Sequence, residues 1–199
     1  MYGIYENGNV IAKFTAPLTV KSNQPVFVSD ALSLRRFVSQ RSAQRWEIEA
    51  GVEPLSFNAQ DLMVSLVTKG PSETVQILMP QNYGVKQERV QSSDLAVGAS
   101  ALANSTSFLI TGFTGFIPKG TYIRFSNHSK VYMTTSNRTN SGSIGIYPPL
   151  RVNIDVVTTV KSRDDVIMDC LYDTDVVRGM TYSDGILMDL GTIRFLEKV

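Results

Sequence analysis

The stretch from Phe113 to Arg151, FTGFIPKGTYIRFSNHSKVYMTTSNRTNSGSIGIYPPLR, leaves the chain little choice but a compact run of short strands joined by tight turns. Pro118 presets φ at one corner and Gly120 closes it. Tyr122, Ile123, Arg124 and Phe125 then alternate before the polar tip Ser126-Asn127-His128-Ser129 reverses the chain into the return strand Lys130 to Thr134. A second polar loop, Ser136 to Gly142, leads into Ser143 to Tyr147, and Pro148-Pro149 ends that strand because proline has no N–H for a ladder. This is a folding unit and not a catalytic motif. It sits in the middle of a chain whose two ends look like parts of one other domain.

Those ends read as β structure with one helix. Val10 to Phe14 and Leu18 to Val20, separated by Pro17, and then Leu32 to Val38, are each short enough to be strands. In Arg45 to Val52, Trp46, Ile48 and Ala50 fall on one face, with Glu47 and Glu49 on the other, the pattern of a half-buried sheet. Asn58 is placed to cap a helix that carries Asp61 in its first turn, an apolar stripe of Leu62, Met63, Leu66 and Val67, and a stop at Lys69-Gly70. Thr74 to Met79 forms a strand that Pro80 stops. The polar, Ser- and Ala-rich run from Gln81 to Ser107 marks a connection, with a domain boundary near Tyr83-Gly84. Val152, Ile154 and Val156 alternate with Asn153 and Asp155 as a further strand, and the charged turn Lys161 to Asp165 marks the exit. Strands around Val166 to Tyr172, Ile186 to Asp189 and Thr192 to Glu197 complete the chain.

Composition narrows function by exclusion. Hydrophobic residues make up 43% of 199, enough for a sizeable core. No apolar run approaches the ~20 residues of a membrane span, and Met1 to Val10 has neither the basic nor the apolar region of a secretion signal. Cys170 is the single cysteine and His128 the single histidine, poor material for a thiol zinc site or for a Ser-His-Asp, Cys-His or HExxH constellation. Cys170, in an apolar strand, reads as a small buried hydrophobe. No cofactor motif, metal set or catalytic residue is expected, so the chain reads as a non-enzyme. Residues 86–158 carry 7 basic and 3 acidic side chains, whereas 159–199 carry 5 and 8. That swing suits contacts between chains better than a grip on nucleic acid.

Two segments carry a resemblance. Gln44 to Gln81, QRWEIEAGVEPLSFNAQDLMVSLVTKGPSETVQILMPQ, reads strand-loop-helix-strand. Gly120 to Thr135, GTYIRFSNHSKVYMTT, is a hairpin built around a histidine followed by a lysine, a hydrophobic residue and a tyrosine. On these segments the chain resembles the distal tail protein family of long-tailed bacteriophages, in the form whose β hub is interrupted by an inserted oligonucleotide/oligosaccharide-binding-like (OB-like) barrel. The resemblance implies a mainly β fold with a minor helical part: a discontinuous β-sandwich or barrel hub of residues 1–84 and 159–199 with one helix, and a small OB-like β-barrel of residues 85–158. It implies a structural virion protein that forms a ring, a hexamer, at the distal end of the tail tube. Its partners would be itself, the tube protein, and the baseplate, tip and fibre proteins. Genomic DNA would pass through the channel without specific binding, no membrane would be involved, and the protein would be made in the host cytoplasm. The strand Ile193 to Leu196 needs a sheet to join, and ring closure between protomers is one way to pair such edges.

The alternative is a carbohydrate- or nucleic-acid-binding module that uses the central barrel for host-surface attachment. Tyr122, Arg124, His128, Lys130 and Tyr132 are its candidate contacts, because barrels of this type stack aromatic and basic side chains on sugars or nucleotides. The plainer reading is that His128 caps a turn and that about half of the aromatics fill the barrel. Glu47 and Glu49 have the carboxylate pairing a glycosidase needs, but a wet strand face explains them better. Asp164-Asp165 and Asp173-Thr174-Asp175 read as polar turns, not as a cation loop.

Overall fold

A computed structural model describes residues 2–30, 36–40, 43–55, 64, 68, 74–81, 95–112, 115–162, 165–173, 181–183, 186–189 and 191–198. Eighteen strands occur among them: β1 (Gly3–Glu6), β2 (Asn9–Asn23), β3 (Val26–Asp30), β4 (Arg36–Gln40), β5 (Arg45–Pro54), β6 (Thr74–Leu78), β7 (Leu95–Val97), β8 (Ser107–Thr111), β9 (Phe116–Ile117), β10 (Tyr122–Phe125), β11 (Val131–Thr134), β12 (Arg138–Thr139), β13 (Gly142–Tyr147), β14 (Thr159–Ser162), β15 (Ile167–Tyr172), β16 (Thr181–Ser183), β17 (Ile186–Asp189) and β18 (Thr192–Glu197). The fold is mainly β. Of the stretch read as a helix, only Val64 and Thr68 are described, both helical, and the rest lies outside the described residues.

Two closed antiparallel barrels organise these strands. The first runs β1-β2-β5-β18-β15-β6 and returns to β1, and the second runs β10-β11-β13-β8-β7-β14 and returns to β10. Alternation explains both. In β5 the inward set is Trp46, Ile48, Ala50 and Val52; in β15 it is Met168, Cys170 and Tyr172; in β18 Ile193 and Phe195 continue the same core. The second barrel closes around Phe108, Ile110, Ile123, Phe125, Tyr132 and Ile144 among others.

The second barrel is inserted at a hairpin position of the first. β6 and β15 are paired neighbours, Leu78 facing Ile167, and the chain between them builds the other barrel. Insertions are tolerated where the two cut ends stay close, as here. β14 pairs with β7 and β10, so the chain leaves the second barrel after Ser162 and not at the residue-158 boundary read from the sequence.

Three local readings change. Pro17 does not separate two strands: β2 is continuous, and its register against β5 shifts between Thr15 and Thr19, an irregularity that accommodates a residue without an N–H. Val152 to Val156 is not a strand. Ile154 makes one isolated bridge to Ala101, and Asp155 then turns the chain by accepting hydrogen bonds from the Val157 N–H and the Thr158 hydroxyl, at 3.2 and 2.9 Å. Finally, β18 is no open edge, because it pairs with β5 on one side and β15 on the other. A closed barrel has no edges to offer a neighbour, so protomers would have to meet elsewhere. The two-stranded sheets β3-β4, β9-β12 and β16-β17 lie outside both barrels.

Candidate functional site: the joint between the barrels

The five residues singled out on the central hairpin are all engaged within the chain. β10 and β11 send Ile123, Phe125 and Tyr132 into the second barrel, and the strand period of two therefore turns Tyr122, Arg124, Val131 and Met133 outward. Outward here means toward the first barrel. Val131 belongs to the first barrel's buried cluster, and Tyr122, Met133 and Tyr147 pack against it.

Glu197 is the centre of this joint. It occupies the inward register of β18 after Ile193 and Phe195, at the end of the first barrel, and is 4% exposed. Its carboxylate accepts the Lys130 ammonium, the Trp46 N–H at 3.0 Å and the Val131 N–H at 2.9 Å. Lys130, also 4% exposed, gives its remaining protons to the Gln44 carbonyl (3.0 Å) and side-chain oxygen (2.7 Å). Burial pushes the Lys130 pKa down, while the Glu197 charge and hydrogen bond work against that shift. All three ammonium protons are thus used inside the protein.

The peptide groups of β10 and β11 are held by side chains from the first unit as a neighbouring strand would hold them. Trp46 Nε1 donates to the Val131 carbonyl at 2.8 Å, so both polar atoms of Val131 are satisfied by the first barrel. Gln81 does the same for Tyr122, accepting its N–H at 3.1 Å and donating to its carbonyl at 3.3 Å. Arg124 crosses the joint to the Ile167 carbonyl at 2.6 Å and to Asp169 at 3.4 Å, and also donates to the His128 carbonyl at 3.3 Å. Trp46 meets Tyr122 and Tyr147 edge-on, with ring centres 5.4 and 6.0 Å apart.

Tyr132 and His128 lie on the other side of the hairpin. Phe108, Phe125 and Tyr132 pack edge to face inside the second barrel, and the His128 ring stacks on Phe125 at 5.7 Å. The Tyr132 hydroxyl accepts the Arg151 N–H at 3.0 Å and lies 2.8 Å from His128 Nε2; His128 Nδ1 lies 2.6 Å from Asn127 Oδ1. The chain of bonds closes when Tyr132 donates to Nε2 and Nδ1–H donates to Asn127, the neutral ring. Burial raises the Tyr132 pKa to about 12. Burial first, and then the charges of Arg124, Arg151 and Lys130, bring His128 down to about 4.

That shift predicts a pH dependence. The unfolded chain takes up its proton near pH ~6.5 while the folded chain resists until about pH 4, so stability is full above that window and falls as pH drops through it. His128 is only half-buried, so solvent screening reduces the effect to about 1–2 kcal/mol. Because there is one histidine, a single ring resonance followed by NMR reads it directly. Titration near pH 4 is the expected result, and a midpoint near the ordinary value would contradict the closed hydrogen-bond chain.

Glu47 does not lie on a wet face. It is 3% exposed, covered by Asn23, Arg45 and Arg194, which hydrogen-bond its carboxylate. Burial works to raise its pKa, but those bonds and the Arg194 charge outweigh it and hold the group below the ordinary value. Glu49 is paired with Lys21 at 2.6 Å, which lowers its pKa. Cys170 is fully buried, and desolvation raises its thiol well above the ordinary value. Among the described residues no group of three or more His, Cys, Asp or Glu is placed to hold a metal ion. Asp164, Thr174 and Asp175 lie outside the described residues.

Gln44, Gln81 and Glu197 are joint residues that sequence patterning did not single out, and Trp46 was read only as part of the inward face of its strand. One signal was present: Glu197 continues the inward i, i+2 register of Ile193 and Phe195, where a carboxylate must find a buried partner. Compared with known proteins, the chain matches no family model and no curated protein.

Proposed function

We propose that this chain is a structural protein of a bacteriophage tail, the ring-forming hub at the distal end of the tail tube. In this reading the first barrel is the hub unit, and the second, a small OB-like barrel, projects from it at an angle held by the Lys130–Glu197 joint. The tube protein would sit on one side of the ring, with baseplate, tip and fibre proteins on the other, and DNA would pass through the channel without specific binding. The protein would act by geometry and not by catalysis, and its place would be the virion after synthesis in the host cytoplasm.

The observation that carries the reading is the β3-β4 hairpin. It lies outside both barrels, every residue of β3 is exposed, and Val26, Phe27, Val28 and Phe37 are 44%, 56%, 46% and 55% exposed. Phe27 pairs with Ser39 and Ser29 with Phe37, so the two phenylalanines share one face while Val26 and Val28 lie on the other. A two-stranded hairpin is marginal by itself in water, and apolar side chains clustered in solvent mark a surface that another protein covers. A ring supplies that cover with a second copy of the chain.

Light scattering of the purified protein, with negative-stain images of the same sample, tests this. The expected result is a closed ring of one defined mass, with a hexamer the expected count. Replacing Phe27 and Phe37 by serine should return it to monomers while the unfolding midpoint of the monomer changes little, since exposed positions contribute about 0.5 kcal/mol or less. A wild-type chain that stays monomeric at high concentration, and does not join purified tail tubes, would overturn the hub reading.

A further inference from the structure

Where the two barrels meet, their outer surfaces leave a groove made of two hollows, of about 550 and 280 Å³, that share Ala43, Gln44 and Arg151. The Lys130–Glu197 pair forms its floor and is spent on internal bonds. The lips are cationic. Arg151, exposed at the meeting point, has no hydrogen-bond or ion-pair partner for its guanidinium among the described residues. Lys198, exposed at one end, gives its ammonium, among the described residues, to the Thr74 hydroxyl at 2.9 Å. Arg45 shares the single Glu47 carboxylate with Arg194, so positive charge exceeds negative along the groove.

We infer that this groove is a docking site for an acidic peptide segment of a partner protein, its carboxylates received by Arg151, Lys198 and Arg45. The shape favours a chain over a small molecule: small-ligand pockets are enclosed, whereas this groove is open and two-lobed, with charged and amide groups at its lips and Pro25, Pro148, Pro149, Leu150 and Leu171 as apolar contacts for side-chain stems. The chemistry favours a peptide over nucleic acid, since single strands are bound by stacking on aromatic faces and no aromatic residue is among the described residues that line either hollow. The described lining comes from both barrels of one chain, so the proposal does not depend on ring formation.

Fluorescein-labelled hexaglutamate, titrated at low salt, is the probe; hexaglutamine and a single-stranded oligothymidine are the comparisons. Saturable binding with one peptide per chain is expected, with no binding of hexaglutamine. Arg151→Glu should weaken it by about tenfold or more, as reversal of a charge at a complementary surface does. Lys198→Glu, at the far lip, should weaken it as well, so the outcome does not hang on one variant. Lys119→Glu, an exposed residue outside the groove, should weaken it clearly less than Arg151→Glu does. Absence of saturable binding, or equal losses from Lys119→Glu and Arg151→Glu, would overturn the site. Tighter binding of oligothymidine, sensitive to Arg151, would overturn the peptide and assign the groove to nucleic acid.

Discussion

Replacing Lys130 with methionine is expected to destabilise the chain by about 3–5 kcal/mol, because Glu197 is left as a buried charge without its counter-ion. Glu197 is 4% exposed, and the two backbone donors of its carboxylate, from Trp46 and Val131, do not neutralise it. Urea unfolding of the wild type and variant measures the loss. The double replacement Lys130→Met with Glu197→Gln should recover at least half of it, since no charge then remains at the joint, although one amide proton pair must replace an acceptor. The single tryptophan lies in the same contact, so its emission should shift to longer wavelength in Lys130→Met before the barrels unfold. A loss below about 1 kcal/mol would mean that the pair does not hold the two barrels together.

Trp46→Ala should cost about as much, 3–5 kcal/mol, for a different reason. The indole is 3% exposed and fills the space between the open end of the first barrel and the outer faces of Tyr122 and Tyr147. Its loss leaves a cavity between two rigid bodies that cannot collapse around it, and strips the Val131 carbonyl of its donor. Trp46→Phe separates these effects: it keeps most of the packing, so a residual loss of about 1–3 kcal/mol belongs to the unsatisfied carbonyl. Circular dichroism across a urea series distinguishes the variants. If Trp46→Phe proved as damaging as Trp46→Ala, the hydrogen bond, and not the filled volume, would dominate.

Much of the architecture could be read along the chain. The short strands from Phe116 to Tyr147, the alternation at Trp46, Ile48 and Ala50, and the strand at Thr192 to Glu197 all follow from a side-chain period of two, which is local. The cysteine and histidine counts were equally direct. Where local reasoning failed, a distant partner decided. Pro17 reads as a break until β5 is there to hold β2 across the irregularity, and Val152 to Val156 reads as a strand although Asp155 turns it.

The joint was the least legible part, and its residues show why. Tyr122, Arg124 and Lys130 have the composition of a ligand surface, yet the outward face of their hairpin lies against another barrel. Whether an outward side chain meets water, sugar or protein depends on what packs there, and Gln44, Gln81 and Glu197 arrive from positions as many as 86 residues away along the chain. Periodicity along the chain was enough to indicate a mainly β protein. The closure of each sheet on itself, the pairing of Lys130 with Glu197, and the cationic groove between the barrels came only from the tertiary structure, because register across a barrel and contact between two bodies are relations between segments that no local pattern encodes.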